Sequence, residues 1–207
     1  MTIAEQFIIR TTFSLRLSDD FSKQRFLVGT TDVFLKESKL KPIENQDKYY
    51  VYINQAGTVF TARVENKYYF DKEVNVNISG LDPRNPVVPV VIKPNYLYPY
   101  PSAATLIRGK IVDTAGKAVE GATASIVNSV TVSNQSDAAG RVVLYFGPLT
   151  EETSFLESGV RYVFIAGSTT IKMRITHPNY YTKNVTLGKI AEGGTKLLSA
   201  PVTLTPR

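Results

Sequence analysis

Cysteine and tryptophan are absent from the 207-residue chain, and histidine occurs once. Without cysteine there can be no disulfide, no thiolate nucleophile and no cysteine-bound zinc. A single histidine, His177, also fails on count to build a histidine metal site. Ser-His-Asp and Cys-His hydrolases need an imidazole beside the nucleophile. His177 instead precedes a proline in Thr176-His177-Pro178-Asn179, the setting of a turn. No Gly-x-Ser-x-Gly, phosphate-cradling glycine loop or dinucleotide fingerprint is present. A glycosidase needs two carboxylates facing each other across a cleft, whereas Glu151 and Glu152 are neighbours in a short polar segment. Asp19-Asp20 falls short of a calcium loop, which takes carboxylates at several alternating positions, and reads as a strand-end turn. No window approaches the roughly 18 apolar residues of a membrane span. The sequence therefore offers no catalytic, cofactor-binding or metal-ligating residues, and the expectation is a non-enzymatic protein.

What is present favours pleated surfaces. Hydrophobic residues make up 43% and charged residues 20%, the balance of a chain that folds around a core. Tyrosine (12) and phenylalanine (10) are plentiful, and Val, Ile and Thr recur, a composition that suits half-buried strands. The formal net charge is +6, but the basic residues are scattered among acids without a run or a helical stripe. That pattern is a solvated surface rather than a nucleic-acid footprint, so no nucleic-acid partner is expected. The start, MTIAEQFIIRTTFSLRL, carries an early acid and lacks an apolar core followed by a small-residue cleavage site, so it does not read as a secretory signal. The expectation is a cytoplasmic protein, and the Asn-x-Ser/Thr triplets at Asn77, Asn134 and Asn184 are then incidental.

Period-two alternation dominates. Phe13, Leu15 and Leu17 oppose Ser14 and Arg16, while Val74, Val76 and Ile78 oppose Asn75 and Asn77. Ile171, Met173 and Ile175 oppose Lys172 and Arg174, and Val142, Leu144 and Phe146 oppose Val143 and Tyr145. Each set predicts a strand with one face in a core. Further strands are predicted near 30–36, 49–54, 58–65, 87–93, 105–113, 122–128, 161–167, 181–187 and 197–204. Turn residues separate them at Gln55-Ala56-Gly57, Ala115-Gly116, Asp137 to Gly140 and Gly193-Gly194. One short helix is predicted over TEETSFLES, with Thr150 as its cap and Gly159 as its stop.

Prolines punctuate 83–101. LDPRNPVVPV can be an edge strand at most, because proline donates no ladder hydrogen bond, and KPNYLYPYP should run extended and stiff. Two domains joined there fit the length. In an extended chain Tyr96, Tyr98 and Tyr100 would share one face, suited either to stacking on sugar rings or to burial at a seam between domains.

After that joint, RGKIVDTAGKAVEGATASIV resembles the opening of a carboxypeptidase regulatory-like (transthyretin-like) domain, through Gly109, Ile111, Asp113, Gly116, Val119, Gly121, Ala122, Ala124 and Ile126. SDAAGRVVLYF resembles that family's turn and strand, through Ser136, Asp137, Gly140, Val142 and Leu144, and ITHPNYYTKNVTL resembles its closing strands. The likeness covers about residues 104–204. Asp113 can hydrogen-bond the turn it starts, Gly116 can take the positive φ that turn needs, and Asp137 with Gly140 repeats the device. In that family the module is a rigid spacer or adhesion domain. The first half resembles a diverged module of the same kind, through the Asp19 strand end, the Gly57 turn and Tyr68-Tyr69 leading into Val-x-Val-x-Ile. The whole chain resembles small accessory proteins encoded with phage-tail-like contractile injection systems.

These readings give an all-β chain of two antiparallel β-sandwich (Ig-like or transthyretin-like) domains in tandem, 1–93 and 104–207, with a Pro/Tyr-rich linker at 94–103. The resemblance implies a structural adaptor, cap- or baseplate-associated, whose partners are other subunits of a particle (sheath, tube, cap or baseplate proteins), with self-association inside the assembly left open. The particle would assemble in the cytoplasm before any release. Tyr96, Tyr98, Tyr100, Pro99, Pro101 and Arg108 are the candidate seam or partner-binding residues, and 83–101 and 196–207 the candidate docking segments. The alternative is a carbohydrate-binding or adhesive module, stacking on those tyrosines or on the Tyr68-Tyr69 and Tyr180-Tyr181 pairs.

Overall fold

The computed structural model describes residues 9–129 and 131–207; the first eight residues, on which the reading of the N-terminus partly rests, lie outside them. The chain is all-β, with no α-helix among the described residues, and it divides into two compact units, Met1–Leu97 and Tyr98–Arg207. The division falls within the 94–103 segment.

The first unit contains β1 (Thr11–Asp19), β2 (Thr31–Leu35), β3 (Ile43–Glu44), β4 (Tyr49–Ile53), β5 (Val59–Asn66), β6 (Lys72–Asn77) and β7 (Val87–Ile92). They form two sheets, ordered β3-β4-β1-β7 and β2-β5-β6. Phe13, Leu15 and Leu17 of β1 are buried, as their alternation requires, and so are Val33, Leu35, Ala62, Val64 and Val76 of the other sheet. Strand β7 is an edge strand with Pro89 exposed, the place that proline's missing N–H allows. Its pairing with β1 is parallel, from Ser14↔Val87 to Asp19↔Ile92. Residue alternation specifies which face is buried but not the direction of the neighbour, so this departure from an all-antiparallel sandwich could not be read from the sequence.

The second unit contains β8 (Leu106–Asp113), β9 (Thr123–Ile126), β10 (Ser133–Gln135), β11 (Arg141–Tyr145), β12 (Ser154–Glu157), β13 (Val160–Val163), β14 (Ile171–His177), β15 (Tyr180–Gly188), β16 (Thr195–Leu197) and β17 (Val202–Leu204). One sheet runs β10-β9-β14-β15; the other runs β11-β8-β16, with β17 also pairing β8, and β12-β13 is a separate hairpin. Both β16 and β17 pair β8 in parallel. A single core, with Ile107, Ile111, Ala124, Ile126, Leu144 and Met173 within it, fills the space between the two larger sheets.

The turn devices are built as their residues suggest. Asp113 Oδ1 accepts from the N–H groups of Ala115 and Lys117 at 2.9 Å each, and Gly116 sits at φ +79°. Asp137 Oδ1 accepts from Ala139 and Arg141 N–H, while its Oδ2 pairs with the Arg141 guanidinium at 2.8 Å. Gly140 is required twice over: φ is +72°, and a Cβ would stand 2.3 Å from the Ile111 carbonyl oxygen.

TEETSFLES departs from expectation. It forms a turn and then β12, not a helix. Thr150 N–H and hydroxyl both meet Thr153 Oγ1 (2.8 and 3.0 Å), closing the turn locally. Ser158 (φ 51°) and Gly159 (φ 78°) then link β12 to β13 in a two-residue hairpin, with Glu157 opposite Val160. Paired positive φ values are the type I′ geometry that matches strand twist. Gly159 therefore turns a hairpin rather than ending a helix.

Candidate interaction surfaces

The Pro/Tyr stretch does not run as one extended face. Pro94 bridges Tyr69, and the Asn95 side-chain amide donates to the Lys67 and Tyr69 carbonyls, so this end is built into the first unit. A turn follows at 96–97, where Leu97 N–H donates to Asn95 Oδ1. Tyr100 N–H then reaches back to the Tyr98 carbonyl around Pro99, a second tight turn. Tyr96 is half-buried in the first turn, and Tyr98 is buried.

Within the second unit, Tyr98 and Tyr100 rings lie 4.7 Å apart, Tyr100 and Tyr145 5.7 Å apart, and the Arg108 guanidinium stands over Tyr100 at 5.4 Å. Arg108 (β8) and Tyr145 (β11) lie on the sheet face opposite the core residues Ile107 and Leu144. The segment that begins at Tyr98 thus covers that outer face with an aromatic-cation cluster. Pro99 and Pro101 are exposed, and Pro101 accepts from Ala104 N–H through its carbonyl.

In each of the other tyrosine pairs one ring is engaged, while Tyr181 stays exposed. Tyr69 is buried: its hydroxyl donates to Asp19 Oδ2 (2.9 Å) and accepts from Val28 N–H (3.1 Å). Asp19 Oδ1 accepts from Phe21 and Ser22 N–H, and Asp20 pairs with Lys23. The Asp19-Asp20 pair thus sits in a strand-end turn, and no cluster of three metal-ligating side chains occurs among the described residues. His177 closes β14; its Nδ1 accepts from Asn179 N–H, and its ring meets Tyr180 edge-on. Asn134 is buried, with Nδ2 donating to the Val143 carbonyl.

Two surfaces remain open. Along β15, the edge strand of its sheet, residues 181–184 are exposed in succession, so neither side of the strand there packs on a core. The expected C-terminal docking segment behaves differently: Val202 and Leu204 are buried, and Tyr181 N–H donates to the Thr205 carbonyl, which places β17 inside the unit.

The second surface is a groove of about 1000 Å³ on the first unit. Its floor is the outer face of the first sheet, where Ser14 lies opposite Val51 on one side and Val87 on the other. Asn45, Asn54 and Gln55 line it from the turns flanking β4, and the 81–86 segment lines it beside β7. Arg10 and Arg84 are its only charged lining residues among the described residues. Sequence reading missed this groove because five separate segments build it and none carries a pattern of its own.

No family model and no curated protein matches the chain. Among solved structures it is similar to the Bacillus anthracis TIE protein, at 13% identity and a TM-score of 0.34 over 94% of this chain and 34% of that one. It is also similar to a streptococcal ancillary pilin (12%, TM-score 0.27, 96% of this chain and 62% of that one) and to the shaft pilin spaA of Lactobacillus rhamnosus GG (8%, TM-score 0.23, 97% and 98%). The chain spans about a third of the TIE protein and under two thirds of the ancillary pilin. Superpositions at these scores do not identify a shared fold.

Proposed function

We propose that the chain is a non-enzymatic docking component of a multi-subunit particle and, more finely, a cap- or baseplate-associated accessory subunit of a phage-tail-like contractile injection system. The coarser reading is carried by the edge of β15. Its residues 182–184, beyond the stretch where Thr205 and Pro206 pair with Tyr180 and Tyr181, are exposed in a row on an open sheet edge. Such a stretch contributes little to its own core and suits strand addition by a neighbour, which supplies main-chain hydrogen bonds and pockets for alternate side chains. Lys183, exposed on that edge, is the kind of charge that keeps a strand from pairing indiscriminately. Side chains with chemical potential are engaged elsewhere: Asp113 and Asp137 close turns, and His177 Nδ1 accepts a backbone N–H. The finer reading is supported by the sequence resemblance, which reaches across both units. Repetition in a particle would turn a weak edge contact into a firm one through avidity.

The test is affinity purification of the tagged chain from its native source, followed by mass spectrometry. Co-purification with sheath, tube, cap or baseplate proteins is expected. Recovery of the chain alone would overturn the docking reading, and recovery with a different assembly would overturn only the finer one.

A further inference from the structure

The groove of the first unit is built to take an acceptor-rich, negatively charged ligand. Among the described residues Arg10 and Arg84 line it, no acidic side chain does, and neither arginine joins an ion pair. The acids next to lining residues are otherwise engaged: Glu44, beside Asn45, pairs with Lys48, and Asp82, beside Leu81, accepts from Arg84 N–H. Two of the lining amides add to this bias, whereas Gln55 spends its Nε2 on the Ile53 carbonyl. Asn54 Oδ1 accepts from Arg10 N–H, and Asn45 Oδ1 accepts from Tyr49 N–H, both within 2.9 Å. Each asparagine thus has its acceptor tied to the backbone and its Nδ2 donors left over. Guanidinium forks and amide N–H groups together match carboxylates.

Size and lining narrow the class. A volume of about 1000 Å³ is at the upper end of small-ligand clefts, roughly 300–1,000 Å³, and suits a short run of peptide. Among the described residues Tyr49 is the only aromatic in the lining and is half-buried, a poor face for stacking a sugar ring. Val51, Ile78, Leu81 and Val87 supply apolar surface between the donors, suited to the side chains of a peptide. We infer that this groove docks an extended acidic peptide segment of a partner subunit, its carboxylates held by Arg10 and Arg84. The inference rests on the reading of the chain as a docking component.

The probe is a fluorescein-labelled peptide of alternating glutamate and valine, titrated with the full chain by fluorescence anisotropy at low and at 0.5 M salt. Saturable binding is expected, weakened by salt, with at least a tenfold loss in the Arg10→Ala/Arg84→Ala double variant. The control removes the same charge elsewhere, as Lys172→Ala/Arg174→Ala on the exposed face of β14, and should bind within twofold of wild type. Equal losses in both variants would show only general attraction to a basic protein and overturn the inference. So would absence of binding, or tighter binding of an oligogalacturonate of equal charge. Arg10 and Arg84 are exposed, so truncation should leave folding intact, and coincident thermal melts check this. A separate pull-down distinguishes the two levels: if wild type recovers partners and the double variant recovers the same set, the groove inference fails while the docking reading stands.

Discussion

The Tyr69 hydroxyl offers the sharpest handle on the first unit. It ties the buried end of β1 to the loop before β2, donating to Asp19 Oδ2 at 2.9 Å and accepting from Val28 N–H at 3.1 Å. Tyr69→Phe keeps the ring and deletes both bonds. A hydrogen bond to a charged group contributes about 1.5–3 kcal/mol and a neutral one about 1 kcal/mol, so the variant should lose roughly 2–4 kcal/mol. In a unit of this size each kcal/mol shifts the melting temperature by about 4–8 °C, so a fall of at least ~10 °C is expected in the first unit's transition by calorimetry. Val28 amide exchange should accelerate alongside. A double-mutant cycle with Asp19→Asn isolates the pair and should return a coupling of about 1 kcal/mol or more. A loss under about 0.5 kcal/mol, with no coupling, would refute the argument that this hydroxyl pins the loop.

Three further substitutions follow from local geometry. Tyr52 is buried, its hydroxyl has no hydrogen-bond partner among the described residues, and burial pushes its ionisation far above the ordinary tyrosine range. Its neutral form is therefore favoured by folding, and stability present below the unfolded-state value of about 10 declines as pH rises beyond it. Tyr52→Phe should raise stability at neutral pH by about 1 kcal/mol and flatten that alkaline decline; urea melts from pH 8 to 11 check both. Gly140→Ala should cost about 3 kcal/mol or more, since it combines a positive φ with a Cβ driven against the Ile111 carbonyl. Ala166, held at φ 48° beside Gly167 in a turn closed by Ile165 and Ser168, predicts the opposite sign: Ala166→Gly should stabilise by about 0.5–1 kcal/mol in thermal or urea melts.

What the residues disclosed in advance was local. Alternation in β1 and β14 gave strands and their buried faces, because period two is imposed by the pleat itself. Asp113 with Gly116 and Asp137 with Gly140 gave turns, because those side chains act on backbone two to four residues away. The failures are non-local or ambiguous. Phe155 and Leu156 alone cannot tell a short strand from a helical turn, and the Ser158-Gly159 pair was the overlooked hairpin signal. Parallel pairing of β8 with β16 and β17 involves residues 89 or more positions apart in chain order, beyond any periodicity argument. Tyr96, Tyr98 and Tyr100 alternate on one face only in an extended chain, and the Asn95 cap and the turn around Pro99 break that extension. The groove needed the sheet's outer face to exist before its donors could converge.

The central claim is that this chain works by presenting surfaces to other subunits. Amide hydrogen exchange on the chain alone and within native particles tests it most directly. The account predicts slowed exchange along residues 182–184 and around the groove in the assembled state, with the β8 and β14 core amides unchanged. Identical exchange in both states would contradict it.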